Sequence, residues 1–415
     1  MRQSRVLIVG GGAAGLSAAI ASARLGAPVT LLEADVRVGR KILASGNGRC
    51  NLTNLSASAS AYNRPDFVEP VLAAYSCEVI RAFFGEMGLL TRADDEGRIY
   101  PVTNAAGSVL DVMRMECEHL GVDVRCGFEV VHVSEQRDAI GFEATSQDGE
   151  KVRAETVVIT TGGGGSLLAD LDHNLVDERP VLGPIRTELE PIRGLSGVRA
   201  RCAASLVAGV NDDNTGGEAV AIERGELLFR DYGVSGIMIF DLSRHLEEGY
   251  VISIDLFPDV TRPQLEAMIS QRCAALKWRT AETFFAGMLH DRVARAVLRR
   301  SGVGLNIPVG ELPQVRLAAL LKDFRLGVLG MGDARQAQVT RGGASVAEFD
   351  PHTLASHRAR GLFAAGEVLD IDGRSGGFNL HWAWASGIVA GEAAARLATA
   401  RSAKRGNDSS SRGAE

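Results

Sequence analysis

No apolar run in this chain of 415 residues approaches the roughly 18 uninterrupted residues that a membrane span requires. A positive charge balance is missing too. The formal net charge is −6, which argues against nucleic acid as the main partner. The six cysteines, Cys50, Cys77, Cys117, Cys126, Cys202 and Cys273, are scattered without any C-x-x-C. That excludes a zinc ribbon or a dithiol motif and fits free thiols in a reducing cytoplasm. His245, His290, His352 and His357 have no metal-ligand spacing, so no metal is expected. No Ser/His/Asp set or carboxylate pair stands out, and the catalytic residue stays unassigned. What remains is an ordinary globular composition, 46% hydrophobic and 23% charged, at a length that suits two or three domains.

The most informative stretch is Val6 to Glu33, VLIVGGGAAGLSAAIASARLGAPVTLLE. Val6 to Val9 is a short apolar run of the kind that forms a buried parallel strand. Gly10, Gly12 and Gly15 follow as G-x-G-x-x-G at the turn into a helix. The first permits the tight turn, the second lets a pyrophosphate approach the backbone, and the third lets helix and strand pack closely. Ala13 and Ala14 open the helix, whose free N–H groups and positive end suit phosphate. Glu33 ends the second strand 18 residues after Gly15, where a carboxylate would accept ribose hydroxyls. A secretory signal, with Ala21-Ser22-Ala23 as its cleavage site, is the competing reading. Its apolar core would be poor, and cleavage would remove the strand that Glu33 needs beside it.

Further along, 67–87 and 108–120 carry helical spacing, and 122–124, 128–133 and 140–145 read as strands. Val157 to Thr160 is another buried-type strand, and it runs into Thr161 and Gly162 to Gly165. Short alternating strands fill 181–260, and 261–326 is rich in Arg, Ala and Leu and reads as helical. A last buried strand ends at Gly366-Glu367, and a final helix is expected from about Leu380 to Ala398. The expected fold is α/β: a Rossmann-like domain from 1–180 and 345–400, a mostly antiparallel, barrel-like β insert from 181–260 and 327–344, and a small helical subdomain at 261–326. A polar tail, 401–415, reads as disordered. Strand-end Gly clusters spread over the whole chain point to one long ligand, FAD, gripped at both ends. Gly366-Glu367 would meet its ribityl chain or pyrophosphate. The helix start at Gly377, Phe378 and Asn379 would face the pyrimidine edge of the ring, where negative charge builds on reduction.

Arg40-Lys41-Ile42-Leu43-Ala44-Ser45-Gly46-Asn47-Gly48-Arg49-Cys50-Asn51 resembles the GRKxLxSGxGRCN motif of the HI0933-like flavoproteins. The segments 225–236, Val339-Thr340-Arg341-Gly342-Gly343, 365–373 and 376–387 agree with it. The resemblance covers nearly the whole chain except the tail. It implies an FAD domain built from both chain ends and interrupted by a barrel-like domain that carries a helical insert. It also implies that the Arg40 to Asn51 loop packs over flavin and pyrophosphate, with Arg40, Lys41, Ser45, Gly46 and Gly48 at the cofactor and Arg49 adding charge. Val130, Thr161 and Gly162 complete the candidate cofactor contacts. The chain departs from the family after Gly165, where over a dozen expected residues are absent, implying a shortened loop and a more open site.

The expected function is a cytoplasmic FAD-dependent oxidoreductase that transfers hydride between flavin N5 and a small or hydrophobic organic substrate, bound between the FAD domain and the insert. With no second G-x-G-x-x-G, NAD(P)H is expected only as a transient reductant. An amine oxidase or hydroxylase shares this architecture, and a flavin-holding scaffold or RNA-modification accessory is the alternative of another class. The expected partner is a small molecule, with neither nucleic acid nor membrane, and the oligomeric state is left open. Cys50 has no partner thiol in sequence. His381, Trp382 and Trp384 read as a packed aromatic face.

Overall fold

The computed structural model describes residues 5–136, 141–211 and 215–411. It divides into two compact units, Met1–Arg179 with Val339–Glu415, and Pro180–Gln338.

The first unit is built on a five-stranded sheet. Its strands are β1 (Val6–Val9), β2 (Val29–Glu33), β3 (Asp123–Cys126), β4 (Thr156–Ile159) and β5 (Leu362–Ala364). They run β5-β4-β1-β2-β3, and every neighbouring pair is parallel. β1, β4 and β5 are buried along their whole length, as strands covered on both faces must be. The order reverses direction between β1 and β4, the point at which open α/β sheets hold ligands.

Two helices meet beside that point: α1 (Ala13–Arg24) and α2 (Phe378–Ser411). Residues Ala14 to Ser22 of α1 are all buried, so this helix is covered on every side. Its closest neighbour is α2, which approaches through Gly387 and Gly391. A Cβ at Gly387 would overlap the carbonyl oxygen of Ala14, and one at Gly391 that of Ala18. Ser22 Oγ donates to the Gly391 carbonyl at 2.8 Å. Only glycine lets two helix backbones come this near.

The sequence reading ends the final helix near Ala398 and makes 401–415 disordered. In the structure α2 continues to Ser411; Ala400, Arg401, Ala403, Lys404 and Arg405 are good helix formers and carry the helix past Ala398. Residues 412–415 lie outside the described residues. Val339–Ala344, which the sequence reading placed with the insert, forms a two-stranded sheet with Leu175–Val181. Its alternation would suit either unit, and the hydrogen bond of Thr340 to Glu367 ties it to the first.

The second unit is a closed barrel ordered Ile185–Thr187, Gly233–Ser235, Gly216–Arg230, Arg199–Val210, Val251–Asp255, Phe324–Met331. Between its last two strands lie the helices Arg262–Ala275, Ala281–Phe284, Asp291–Arg300 and Gln314–Lys322. Thr261 and Gln264 close a capping box on the first of them, a reciprocal satisfaction of two end donors. Phe284, Phe285, Leu317 and Leu321 join one core with barrel residues such as Phe229 and Ile254.

Gly391→Val forces α1 and α2 apart and is expected to cost about 1–3 kcal/mol, as core overpacking does. Gly85→Ala meets nothing within 4 Å and should be neutral or stabilise by roughly 0.4–1 kcal/mol. Urea unfolding of both variants checks the pair.

Candidate functional site

The three glycines of the first turn have three separate environments. Gly10 has φ +105°, and a Cβ there would sit 2.5 Å from the Thr160 carbonyl oxygen. A Cβ at Gly15 would overlap the Gly10 carbonyl oxygen. At Gly12 an added Cβ meets nothing within 4 Å. The chain therefore fills the space at the first and last glycine and leaves the middle one open. Gly12 is also the N-cap of α1, which has no side-chain cap and no acid in its first turn. The end donors and the positive pole of Ala13 and Ala14 are thus left for a ligand. An open cradle of this chemistry fits a pyrophosphate.

Glu33 is held in place at the end of β2. Its Oε2 accepts from the Gly11 N–H at 2.6 Å and its Oε1 from the Asp35 N–H at 2.8 Å. Each carboxylate oxygen keeps a second lone pair for a ribose hydroxyl. The Glu33 carbonyl accepts from the Phe128 N–H at 2.9 Å, which brings the strand Val130–Glu135, and the half-buried Val130, to the same end.

A second group forms where β4 and β5 end. Lys41 Nζ lies 3.0 Å from Glu367 Oε2, and Glu367 Oε1 accepts from the Thr340 N–H at 2.7 Å. Gly162, at φ +80°, faces both: a Cβ there would be 3.3 Å from Lys41 Nζ and 3.8 Å from Glu367 Oε2. Thr161 is exposed beside it. Gly366, at φ +78°, has Ala14 against it and donates its N–H to Ser386 Oγ at 3.0 Å. Lys41 keeps 71% of its side chain exposed, so the pair contributes only about 0–1 kcal/mol to stability. Its ammonium can exchange a carboxylate for a phosphate at little cost.

The Arg40 to Asn51 loop begins as a helical turn, Arg40–Ala44, with Ser45 Oγ donating to the Ile42 carbonyl at 2.6 Å. Gly46, Asn47, Gly48 and Cys50 then all have left-handed φ values. Leu52 to Asn54, which follow, are fastened to the start of α2. Trp384 Nε1 donates to the Leu52 carbonyl at 3.0 Å, Asn54 Nδ2 to the Gly376 carbonyl at 3.0 Å, and Tyr62 to the Phe378 carbonyl at 2.7 Å. Gly377, at φ +103°, lies against the Thr53 backbone and Asn51 Oδ1. That Oδ1 is buried and has no hydrogen-bond partner, so a polar atom at this spot waits for a donor. Asn51 ends the loop motif, and sequence reasoning gave it no role.

Other expected residues sit apart from these groups. Arg40 is exposed and only loosely paired with Asp35, at 3.4 Å. Arg49 lies over the Tyr100 ring, 4.9 Å from its centroid. The Asn379 side chain is committed to its own turn, accepting from the Gly373 N–H and donating to the Gly373 and Arg374 carbonyls. After Gly165, Glu178 Oε1 accepts the N–H groups of Gly164 and Gly165 at 2.9 and 3.0 Å, so the chain itself caps those two donors.

Sequence reasoning passed over two buried acids, Asp370 and Asp372. Arg64 pairs with Asp370, Asn63 Nδ2 donates to it, and the Asp372 N–H donates to Asn63 Oδ1. Arg341 Nε is 3.3 Å from Asp372 Oδ1. Together they fix the backbone between Glu367 and Gly377. Burial pushes the Cys50 thiol up to about 12, which leaves no thiolate for redox work. His381, Trp382 and Trp384 are buried in the first unit's core. His381 Nε2 must donate to the Tyr75 carbonyl at 3.0 Å, so its Nδ1 accepts from Thr53 Oγ1 at 2.6 Å.

Gly12→Ala should fold normally yet lose bound FAD, because the methyl takes ligand space; Gly15→Ala should fail to fold stably. Circular dichroism melts with cofactor extraction separate the two. Burial lowers the His381 pKa to about 4 from 6.5. Below pH 6.5 the unfolded chain binds a proton that the folded one refuses, so stability falls with pH between these values, by about 2 kcal/mol from pH 7 to 5. His381→Gln should flatten that slope in denaturant titrations.

Comparison with known proteins places the chain in a family. The model of the HI0933-like protein Rossmann domain matches residues 4–393. A 3-dehydro-bile acid delta(4,6)-reductase of Clostridium scindens is 34% identical over 94% of this chain and 99% of its own. A ribosomal RNA dihydrouridine synthase of Escherichia coli is 29% identical over 93% of this chain and 96% of its own. Among solved structures, 3-ketosteroid-delta4-(5alpha)-dehydrogenase from Rhodococcus jostii RHA1 is similar at 16% identity and a TM-score of 0.48, covering 95% of this chain and 97% of that one. No helix of the described residues is long and apolar enough to cross a membrane. The chain therefore belongs to the HI0933-like family and is an FAD-dependent oxidoreductase.

Proposed function

We propose that this chain is a reductase that saturates a carbon–carbon double bond conjugated with a carbonyl. When bound, FAD supplies hydride at N5. The observation that carries the reading is the start of α2. Its first turn holds no acid, and hydrogen bonds from Tyr62, Asn54 and Trp384 fix it against Leu52 to Asn54. A rigid positive helix end suits the negative charge that a reduced flavin ring carries. Lys41 and the α1 N-terminus hold phosphate, and Glu33 holds the ribose.

The names of the two relatives agree in chemistry. A delta(4,6)-reductase and a dihydrouridine synthase both remove a double bond that lies in conjugation with a carbonyl. Disulfide reduction is disfavoured, because the Cys50 thiol is buried and raised to about 12. The chain has a single G-x-G-x-x-G, so NAD(P)H is read as a transient reductant, not the resident of a second domain.

Anaerobic stopped-flow mixing with NADH and NADPH tests this. Either one should bleach the oxidised flavin, and a conjugated enone should restore its colour while the saturated ketone does not. Bleaching by an amine with no response to either nicotinamide would move the protein to the oxidases.

A further inference from the structure

The net charge of −6 hides an uneven distribution. Residues 261–326, the helical part of the second unit, carry eleven Lys and Arg against five Asp and Glu. This segment alone is therefore +6, and the rest of the chain −12. Charge asymmetry of this kind points to a polyanionic partner for one region.

Four of the arginines here, Arg272, Arg279, Arg292 and Arg299, are anchored on carbonyl oxygens. Arg292 donates to the carbonyls of Gly194 and Ser196 at 3.3 and 3.1 Å, and Arg299 to that of Arg193 at 3.1 Å. Arg272 donates to the carbonyls of Phe284 and Ala286, and Arg279 to that of Thr283 at 3.4 Å. Carbonyls orient a guanidinium without cancelling its charge. The carboxylate paired with Arg299, that of Glu190, stands off at 3.9 Å. Other cations of the segment are paired with acids: Arg262 with Glu266, Arg295 with Glu282, Lys322 with Asp255 and Arg325 with Asp323.

Beside these charges stands Trp278, which is 76% exposed. It lies between Lys277 and Arg279, and the Arg279 guanidinium sits 4.8 Å from its ring centroid. Arg279 reaches Thr283, and Glu282 next to it reaches Arg295 on the helix Asp291–Arg300, which also carries Arg292 and Arg299. A series of side-chain contacts thus links the ring to the helix that carries Arg292 and Arg299. An exposed indole flanked by fixed cations is a stacking platform for an unpaired base, with phosphate sites alongside.

We propose that the helical part of the second unit is a docking surface for single-stranded or loop RNA. The inference rests on the reductase reading only in its choice of RNA, whose uracil is a conjugated double bond of the kind that reading requires. The surface itself stands on charge and geometry.

The test uses the FAD-loaded full chain and a fluorescein-labelled, uracil-rich RNA 20-mer, followed by anisotropy at several salt concentrations. The same sequence as DNA and as duplex RNA forms the other arms. The RNA strand should bind more tightly than either, with affinity falling steeply with salt. Trp278→Ala should weaken binding roughly tenfold, and Arg292→Gln with Arg299→Gln should flatten the log–log salt slope by about 0.7 per charge. Melting curves certify that each variant folds; Lys277→Glu serves as a further charge variant should the arginine pair not fold. Absence of binding, equal binding of DNA or duplex, or RNA binding indifferent to Trp278→Ala and the charge variants would overturn the proposal. Turnover of a small enone, which Trp278→Ala should leave unchanged, scores the reductase reading separately.

Discussion

The close approach of α1 and α2 is the constraint on which the first unit depends. Two helices from opposite ends of the chain touch backbone to backbone at Gly387 and Gly391, where any side chain would hold them apart. That contact sets Gly366 against Ala14 and so aligns the end of β5 with the end of β1. Cofactor contacts read from residues 10–15 and from 366–379 can serve one ligand only because of this packing. The sheet order places the end of β1 at the switch point, and the glycine contacts bring Gly366, beyond β5, against Ala14.

Around this frame the polar groups divide by what they hold. Glu33 is pinned by backbone N–H groups, and Asp370 and Asp372 are buried among Arg64, Asn63 and Arg341; these groups fix backbone shape. Lys41 is different: its exposed ammonium and single weak ion pair leave it able to change partner. The first set costs desolvation and is repaid by hydrogen bonds, whereas the second contributes little to folding, and the proposed function gives it the binding role. Asn51 Oδ1, buried and unsatisfied, belongs with the second set.

How far the sequence was legible followed the range of the interactions. Gly10, Gly12, Gly15 and Glu33 act within one βαβ unit, so spacing alone exposed them. Lys41 and Glu367 are 326 residues apart, and only the family resemblance joined them. Asp370 and Asp372 look like ordinary turn acids until the fold buries them. The strand Val339–Ala344 carries a pattern that either unit could accept, and its partner strand decides. Net charge is a mean over 415 residues, and it does not show that one segment of 66 runs against it. Arg40 is exposed and loosely paired with Asp35, and the Asn379 side chain holds its own turn, which neighbouring residues in sequence do not reveal.

Cofactor identity and stoichiometry test the central claim most directly. Protein purified gently, denatured and analysed by chromatography should release one FAD per chain, with the adenosine half intact. Release of FMN, of NAD alone, or of no flavin from folded protein that also refuses added FAD would contradict the account.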